Sequence, residues 1–149
     1  MIRLSVPGVP PSQDNAYMPV RKGRLAIIIL SPAGRKFKTE TTAYLTKKFP
    51  LELARMRPNY PYALFARYYM ERIENKTYPE AAKNRYKHFD TTNRIKLLED
   101  VIADVSAVDD SHYTFSAGEK REGLPERTDI WIWNLEEEGC PFHAAALSL

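Results

Sequence analysis

The sequence predicts an α+β fold: a single domain with a mixed β-sheet of about four to five strands and two main helices packed on it. Three observations carry this prediction. The length of 149 residues suits one globular domain. Extended segments alternate with two segments of helical periodicity, in the order β, β, α, β, α, β, β. No internal repeat interrupts that order.

Five segments are predicted to form strands. Residues 2–6 alternate in the manner of a strand, and Pro7, Pro10 and Pro11 then impose an extended loop. Residues 25–30 are apolar and β-branched, which is typical of a buried strand. The remaining strands are an aromatic-rich run at 62–72 and two runs, 112–120 and 128–135, joined by a turn at 123–126.

Two helices are predicted from their starts and periodicity. Ser31 followed by Pro32 is typical of an N-cap with proline at the first helical position, so a helix with a basic face should run from there to Pro50. The second helix spans 93–105, with Thr91 or Thr92 as its N-cap. One side of this helix is an apolar stripe of Ile95, Leu98, Val101, Ile102 and Val105. The opposite side is a polar band of Asn93, Lys96, Asp100 and Asp104.

Composition excludes several classes of protein. Apolar residues at 44% and charged residues at 28% are ordinary for a folded globular protein. The longest apolar run, 25–30, is far shorter than the roughly 20 residues of a membrane span, and no export signal opens the chain. A lone Cys140 excludes an internal disulfide and a zinc finger. We therefore expect a cytoplasmic protein with no membrane partner.

Charge is distributed unevenly along the chain. Residues 1–96 contain 19 Lys and Arg against 7 Asp and Glu, a balance of +12, whereas residues 97–149 contain 3 against 12, a balance of −9. A basic surface that meets a polyanion, together with an acidic cluster that holds a divalent cation, would produce this asymmetry. Internal pairing between the two halves would produce it equally well.

One segment carries candidate chemistry. Asp90 precedes the second helix, Asn93 lies in its first turn, Lys96 follows one turn later, and Asp109–Asp110 lies just beyond the helix. Two sources of carboxylate and a lysine can build a magnesium nuclease. From these residues alone the structural interpretation is the commoner one: Asp90 as a helix-start residue, Lys96 as the i,i+4 partner of Asp100, and Asp109–Asp110 as a turn.

The order of these blocks resembles the RusA family of Holliday junction resolvases over residues 2–135. The residues that carry the resemblance are Pro10-Pro11-Ser12 with Asn15 and Tyr17, then Asp90, Asn93 and Lys96, then Asp100, and finally Asp109–Asp110 before a strand. The resemblance implies a phage- or prophage-associated homodimeric endonuclease of the bacterial cytoplasm. Such an enzyme binds four-way DNA junctions and makes paired nicks with Mg²⁺ or Mn²⁺ and no small-molecule cofactor.

The resemblance also implies residue roles. Asp90 and one of Asp109 or Asp110, with Asp110 preferred, would bind the metal, and Lys96 would be the catalytic lysine. Apart from the resemblance, a basic loop around Tyr17 suits phosphate contact, although it can equally be a solvated loop, and a mobile basic loop is predicted at 75–89. The DNA-binding candidates are Asn15, Tyr17, Arg21, Lys22, Arg24, Lys83, Arg85, Lys87 and Asn93.

The sequence departs from the family pattern at Thr92, where a second carboxylate is expected. Three possibilities remain open: a site with fewer protein ligands and more water, which we favour, a carboxylate such as Glu99 or Asp100 supplied from elsewhere, or a nuclease that has lost activity but still binds branched DNA. The loop at 75–89 and the C-terminal tail at 136–149 exceed the pattern, and the tail has no assigned role. A basic protein–protein adaptor is a third reading of the chain.

Geometry poses a question about Asp90 and Asp110. A 13-residue helix is about 20 Å long, so the two carboxylates flank ends that are far apart compared with a magnesium–oxygen distance of about 2.1 Å. Either the chain folds back along the helix, or two-fold packing brings Asp110 of one subunit to Asp90 of the other. We expect the helix to lie at or near a dimer interface in either case.

Overall fold

In the computed structural model, which describes residues 1–139 and 141–142, the predicted α+β class is confirmed. Within these residues the strands are β1 (Ile2–Pro7), β2 (Tyr17–Lys22), β3 (Leu25–Leu30), β4 (Tyr62–Met70), β5 (Tyr113–Glu122) and β6 (Arg127–Asn134). The helices are α1 (Gln13–Ala16), α2 (Pro32–Lys48), α3 (Pro50–Leu53), α4 (Thr92–Val105) and α5 (Leu135–Glu138). The two long helices, α2 and α4, are the two main helices predicted.

Four strands form a mixed sheet in the order β1-β6-β4-β5. β6 pairs antiparallel with both β1 and β4, and β4 pairs parallel with β5. A parallel pair needs a long connection between its strands. Here that connection contains α4, so the sheet itself places α4 beside β5.

The core lies between one face of this sheet and the helices α2 and α4. The strands contribute alternate residues such as Leu4, Leu64 and Ile130, all fully buried. The predicted apolar stripe of α4 is confirmed, because Ile95, Leu98, Val101 and Ile102 are buried there. The opposite side of the helix carries the predicted polar residues, of which Lys96, Asp100 and Asp104 form ion pairs.

β2 and β3 form a separate two-stranded hairpin, which corrects two predictions. The run at 25–30 is a strand but not a buried one, since Leu25 is 70% and Ile28 is 76% exposed. The residues before it, predicted as a basic loop, form β2 instead. The tight turn at Gly23, with φ +64°, explains both errors, because it lets β3 form its backbone hydrogen bonds with the residues just before it. β3 therefore pairs with β2 and is not part of the four-stranded sheet.

The basic loop (residues 75–89) is also more ordered than the sequence predicted. The amide of Asn75 donates to the carbonyl of Arg85 at 2.8 Å, and the amide of Lys87 donates to Ile73 at 2.9 Å. An isolated β-bridge joins Glu74 to Tyr86 between these bonds. The loop is therefore closed at its base by strand-like pairing.

The outer face of the sheet is aromatic, and the described end of the tail packs on it. Phe142 contacts Phe65, Phe115 and Trp133, with ring centroids 5.0 to 5.6 Å apart. The predicted tail at 136–149 lies partly outside the described residues, which omit 140 and 143–149. None of the described helices is long and apolar enough to cross a membrane.

Candidate active site

The site is centred on Lys96, which projects from the second turn of α4. Its Nζ lies 2.8 Å from Oδ1 of Asp100, one turn further on, and also contacts Oδ2 of Asp110. Burial lowers the pKa of Lys96, but the hydrogen bonds and charges of the two carboxylates outweigh it and hold that pKa above its usual value. The lysine is therefore a fixed cation.

The return of the chain along α4 brings Asp110 to this lysine. After Val105 the chain turns back, buries Val108, and forms a short 3₁₀ turn at Asp110–His112 that packs against α4. Lys96 and Asp110 therefore meet within one chain. The chain therefore folds back along α4, and the contact that this makes joins Asp110 to Lys96 rather than to Asp90.

Asp90 closes the N-terminus of α4. Its Oδ1 accepts hydrogen bonds from the amides of Thr92, at 2.9 Å, and Asn93, at 3.2 Å. Thr91 is the N-cap residue, one of the two that the sequence predicted, but its side chain makes no capping hydrogen bond and the carboxylate of Asp90 accepts from the helix amides instead. A carboxylate here is stabilised by the positive end of the helix dipole.

Asp109 and Asp110 have different surroundings, although they are neighbours. Asp109 caps its own 3₁₀ turn, with Oδ1 accepting from the amide of Ser111 at 3.0 Å. Hydrogen bonds from Ser111 lower the pKa of Asp109, which is exposed. Only Asp110 of this pair contacts Lys96 among the described residues. The two carboxylates therefore have different partners: the Ser111 amide for Asp109 and the Lys96 ammonium group for Asp110.

Two further titratable side chains, Tyr17 and Glu99, lie near this cluster. The hydroxyl of Tyr17, at the start of β2, donates to Oδ2 of Asp100, and burial followed by this bond raises the pKa of Tyr17 well above its usual value. Glu99 accepts a hydrogen bond from the Ser116 hydroxyl at 2.6 Å. Burial raises the pKa of Glu99, so its environment disfavours the charged form.

The structure separates the predicted DNA-binding residues into groups. Arg21, Lys22 and Arg24 are exposed at the tip of the hairpin, and Asn15 is exposed in α1. Tyr17 is turned toward Asp100. The basic-loop residues line one cavity of about 660 Å³ together with Asp90, whereas Asn93 lies in the first turn of α4.

Sequence reasoning missed Arg94 and Lys120. Arg94 stacks over Phe89 at 3.9 Å, donates to the carbonyl of Pro10, and is half-buried, which lowers its pKa. It holds the proline loop against the start of α4. The available signal was its spacing, because 94, 98, 101 and 105 lie on the apolar stripe. Lys120 reaches the basic loop from β5, a contact that no local pattern encodes.

The site supplies carboxylate oxygens, the donors that a hard divalent cation takes, but Asp100 and Asp110 are paired with Lys96, and Asp90 accepts from the α4 amides. Asp100 and Asp110 converge on one ammonium group, so the fold already places two carboxylates around a positive charge. Mg²⁺ is commonly held by one or two carboxylates with water in its remaining positions. Within residues 1–139 and 141–142, no group of three or more His, Cys, Asp and Glu side chains is close enough to hold a metal ion.

A comparison with protein-family models identifies the class of protein. The model described as "Endodeoxyribonuclease RusA" matches residues 7–132, most of the chain. The protein belongs to the RusA endodeoxyribonuclease family, a family of Holliday junction resolvases that bind branched DNA. The membership of the RusA family that the sequence resemblance predicted is thereby confirmed. No curated protein is similar enough in sequence to count as a relative of this chain.

Proposed function

We propose that the chain forms one nuclease domain, residues 1–149, that resolves four-way DNA junctions by paired, metal-dependent nicks in the cytoplasm of a bacterial or phage-infected cell. The observation that carries this proposal is the position of Lys96 between Asp100 and Asp110 on a helix that Asp90 caps. Cleavage of a phosphodiester needs a fixed cation close to the phosphate, where negative charge develops. The ammonium group of Lys96 is held in place by Asp100 and Asp110, which supports this role for it.

Asp90 and Asp110, with Asp109 as the alternative, are the residues that would hold Mg²⁺ or Mn²⁺. A bound ion of this kind polarises the scissile phosphate and lowers the pKa of its water. The ammonium of Lys96 positions and stabilises the phosphate oxygens next to Asp110. Asp90 is held by the α4 amides, so its carboxylate needs no reorganisation when DNA binds.

Thr92 remains the feature that separates two candidate functions. Its side chain is exposed and its amide bonds to Asp90, so its hydroxyl supplies at most a weak neutral ligand. We favour a site that keeps fewer protein ligands and more water. The second candidate is a branched-DNA-binding protein without catalysis, which is supported by the lack of a three-ligand cluster among the described residues.

DNA contact is proposed for the exposed basic residues of the hairpin tip and the basic loop. Cations at these positions neutralise phosphates without regard to sequence. Asn15 and Asn93 can donate to the DNA backbone from the short helix α1 and from the start of α4. The candidates are Asn15, Arg21, Lys22, Arg24, Lys83, Arg85, Lys87 and Asn93, whereas Tyr17, also predicted from the sequence, is turned toward Asp100.

We propose that the protein acts as a homodimer and that β3 forms the contact, rather than α4. A two-stranded hairpin is marginal in water by itself, and this one exposes Leu25, Ile27 and Ile28. Pro19 weakens the free edge of β2, whereas β3 carries no proline. Antiparallel pairing of β3 with its symmetry mate would be two-fold, and a four-way junction needs two matched cuts.

The test uses a labelled four-way junction and a matched linear duplex with Mg²⁺, Mn²⁺ or EDTA, read on denaturing and native gels. We expect paired nicks on the junction that EDTA abolishes. Asp90→Asn should lose cutting while it keeps binding, because Asn also caps helices well and one negative charge near DNA is removed.

The matched control is Asp104→Asn, a carboxylate on the same helix that pairs with Lys38 at 2.9 Å. This variant should cut normally. Junction binding by the wild type without nicks in either metal would favour the non-catalytic candidate, and Thr92→Asp would then be the rescue variant. Equal affinity for junction and duplex would contradict both candidates.

A further inference from the structure

We propose that Tyr86 is a stacking platform for a base that leaves the duplex near the junction crossover, an inference that rests on the proposed function. Tyr86 lies in the basic loop, and 47% of its surface is exposed. Nearly half of this residue is therefore accessible to a ligand. Base stacking on an exposed aromatic ring is a common mode of binding to unpaired DNA.

The loop holds Tyr86 in a defined place. Its backbone forms a β-bridge with Glu74, and the neighbouring residues Arg85 and Lys87 are hydrogen-bonded to the opposite strand of the loop. The ring therefore stands on paired backbone rather than on a free tip. A platform fixed before binding loses little conformational entropy when a base stacks on it.

The charges around Tyr86 suit a nucleotide. Arg85 lies 5.5 Å and the ammonium of Lys120 5.8 Å from the ring centroid. Arg85 is also paired with Glu74 at 2.9 Å, so Lys120 and the loop lysines supply the uncompensated positive charge. Both cations lie over the ring, so a base that stacks on Tyr86 would replace the cation on that face, and that cation would then bind a neighbouring phosphate.

The cavity connects this platform to the site. Tyr86 lines the same 660 Å³ space as Asp90 and Thr91, a volume within the roughly 300–1,000 Å³ typical of ligand pockets. A base stacked on Tyr86 would therefore belong to the strand whose backbone passes the N-terminus of α4. Bases inside a linear duplex are already stacked, so this contact favours branched DNA.

The test measures the Kd of Tyr86→Ala, Tyr86→Phe and the wild type for a four-way junction and a linear duplex, in EDTA so that nothing is cut. We expect Tyr86→Ala to weaken junction binding about 5- to 150-fold and duplex binding less than about twofold. Tyr86→Phe should behave as the wild type. With 2-aminopurine at the crossover, the fluorescence of the Tyr86→Ala complex should differ from that of the other two complexes.

Two comparison variants define the outcomes. Lys87→Gln should weaken both substrates alike, because a phosphate contact does not distinguish them. Tyr78→Ala removes a second exposed tyrosine from the same cavity and should keep the junction preference. The proposal is overturned if Tyr86→Ala binds the junction normally, weakens both substrates equally, or is matched by Tyr78→Ala. A wild type with no junction preference would instead overturn the proposed function.

Discussion

Asp100 is the residue on which the geometry of the site depends. One of its oxygens contacts Lys96 and the other accepts from the hydroxyl of Tyr17. The pKa of Tyr17 is raised by burial and by Asp100, so the hydroxyl stays protonated and remains a donor across the working pH range. Tyr17 therefore serves the site from behind Asp100, which differs from the direct phosphate contact that its basic neighbours suggested.

Replacing Tyr17 with Phe should lower the free energy of unfolding by about 1 kcal/mol, the usual net value of one hydrogen bond. Cutting should slow, because Asp100 then holds Lys96 less firmly, and the Kd for the junction should change little. Urea denaturation and single-turnover cutting measure the two effects. Tyr86→Phe, whose side chain is exposed, is the stability control. An unchanged unfolding curve with weaker DNA binding would show that Tyr17 contacts DNA directly.

At the scale of elements, a close contact between α1 and α2 attaches the hairpin to the body. The Ser31 hydroxyl donates to the carbonyl of Asn15 at 2.6 Å and accepts from the amide of Gly34 at 3.0 Å. A Cβ on Gly34 would lie 2.3 Å from the carbonyl oxygen of Ala16. Backbone occupies that space, so only glycine fits, and both ends of the hairpin are held at this point.

Gly34→Ala should destabilise the protein by about 1–3 kcal/mol, even though alanine favours a helix by about 1 kcal/mol. The clash outweighs the helix propensity because the atom it meets belongs to the backbone. Urea denaturation measures the change. Thr39→Ala, an exposed substitution further along α2, is the control and should stay within about 0.5 kcal/mol of the wild type. A Gly34→Ala variant as stable as the wild type, or more stable, would refute this account of the contact between α1 and α2.

At the scale of the whole molecule, both explanations of the charge asymmetry contribute. Most ion pairs among the described residues join a cation from 1–96 to an anion beyond it, as in Lys38–Asp104, Arg67–Glu119 and Lys96–Asp110. Internal pairing therefore uses much of the acidic half. The exposed cations of the hairpin tip and the basic loop supply the positive surface that a polyanion would meet.

Ile28→Lys should convert the proposed dimer into a monomer, because a buried lysine at a two-fold contact faces its own symmetry mate. Size-exclusion chromatography with light scattering measures the mass, and junction cutting should change from paired to unpaired nicks. Leu51→Lys, which replaces another exposed apolar residue on α3, should stay dimeric. A wild type that is monomeric, or an Ile28→Lys variant that is dimeric, would refute the β3 interface.

The sequence by itself determined the α+β class, the two long helices and the family. These features are encoded by short stretches of sequence, so they can be recognised without a tertiary structure. They are the helical periodicity, the Ser31-Pro32 helix start, and the spacing of Asp90, Asn93, Lys96 and Asp110. The site residues could be named for the same reason. Their roles in catalysis and metal binding stay proposals.

Only the tertiary structure decided which groups meet. Three contacts join residues that are distant in sequence. They are the ion pair of Lys96 with Asp110, the hydrogen bond from Tyr17 to Asp100, and the hydrogen bond from Lys120 to the basic loop. The exposure of β3 has the same cause, because an apolar run predicts a strand but does not determine whether another part of the fold covers it. Propensity acts over a few residues, whereas burial and contact depend on the packing of the whole chain.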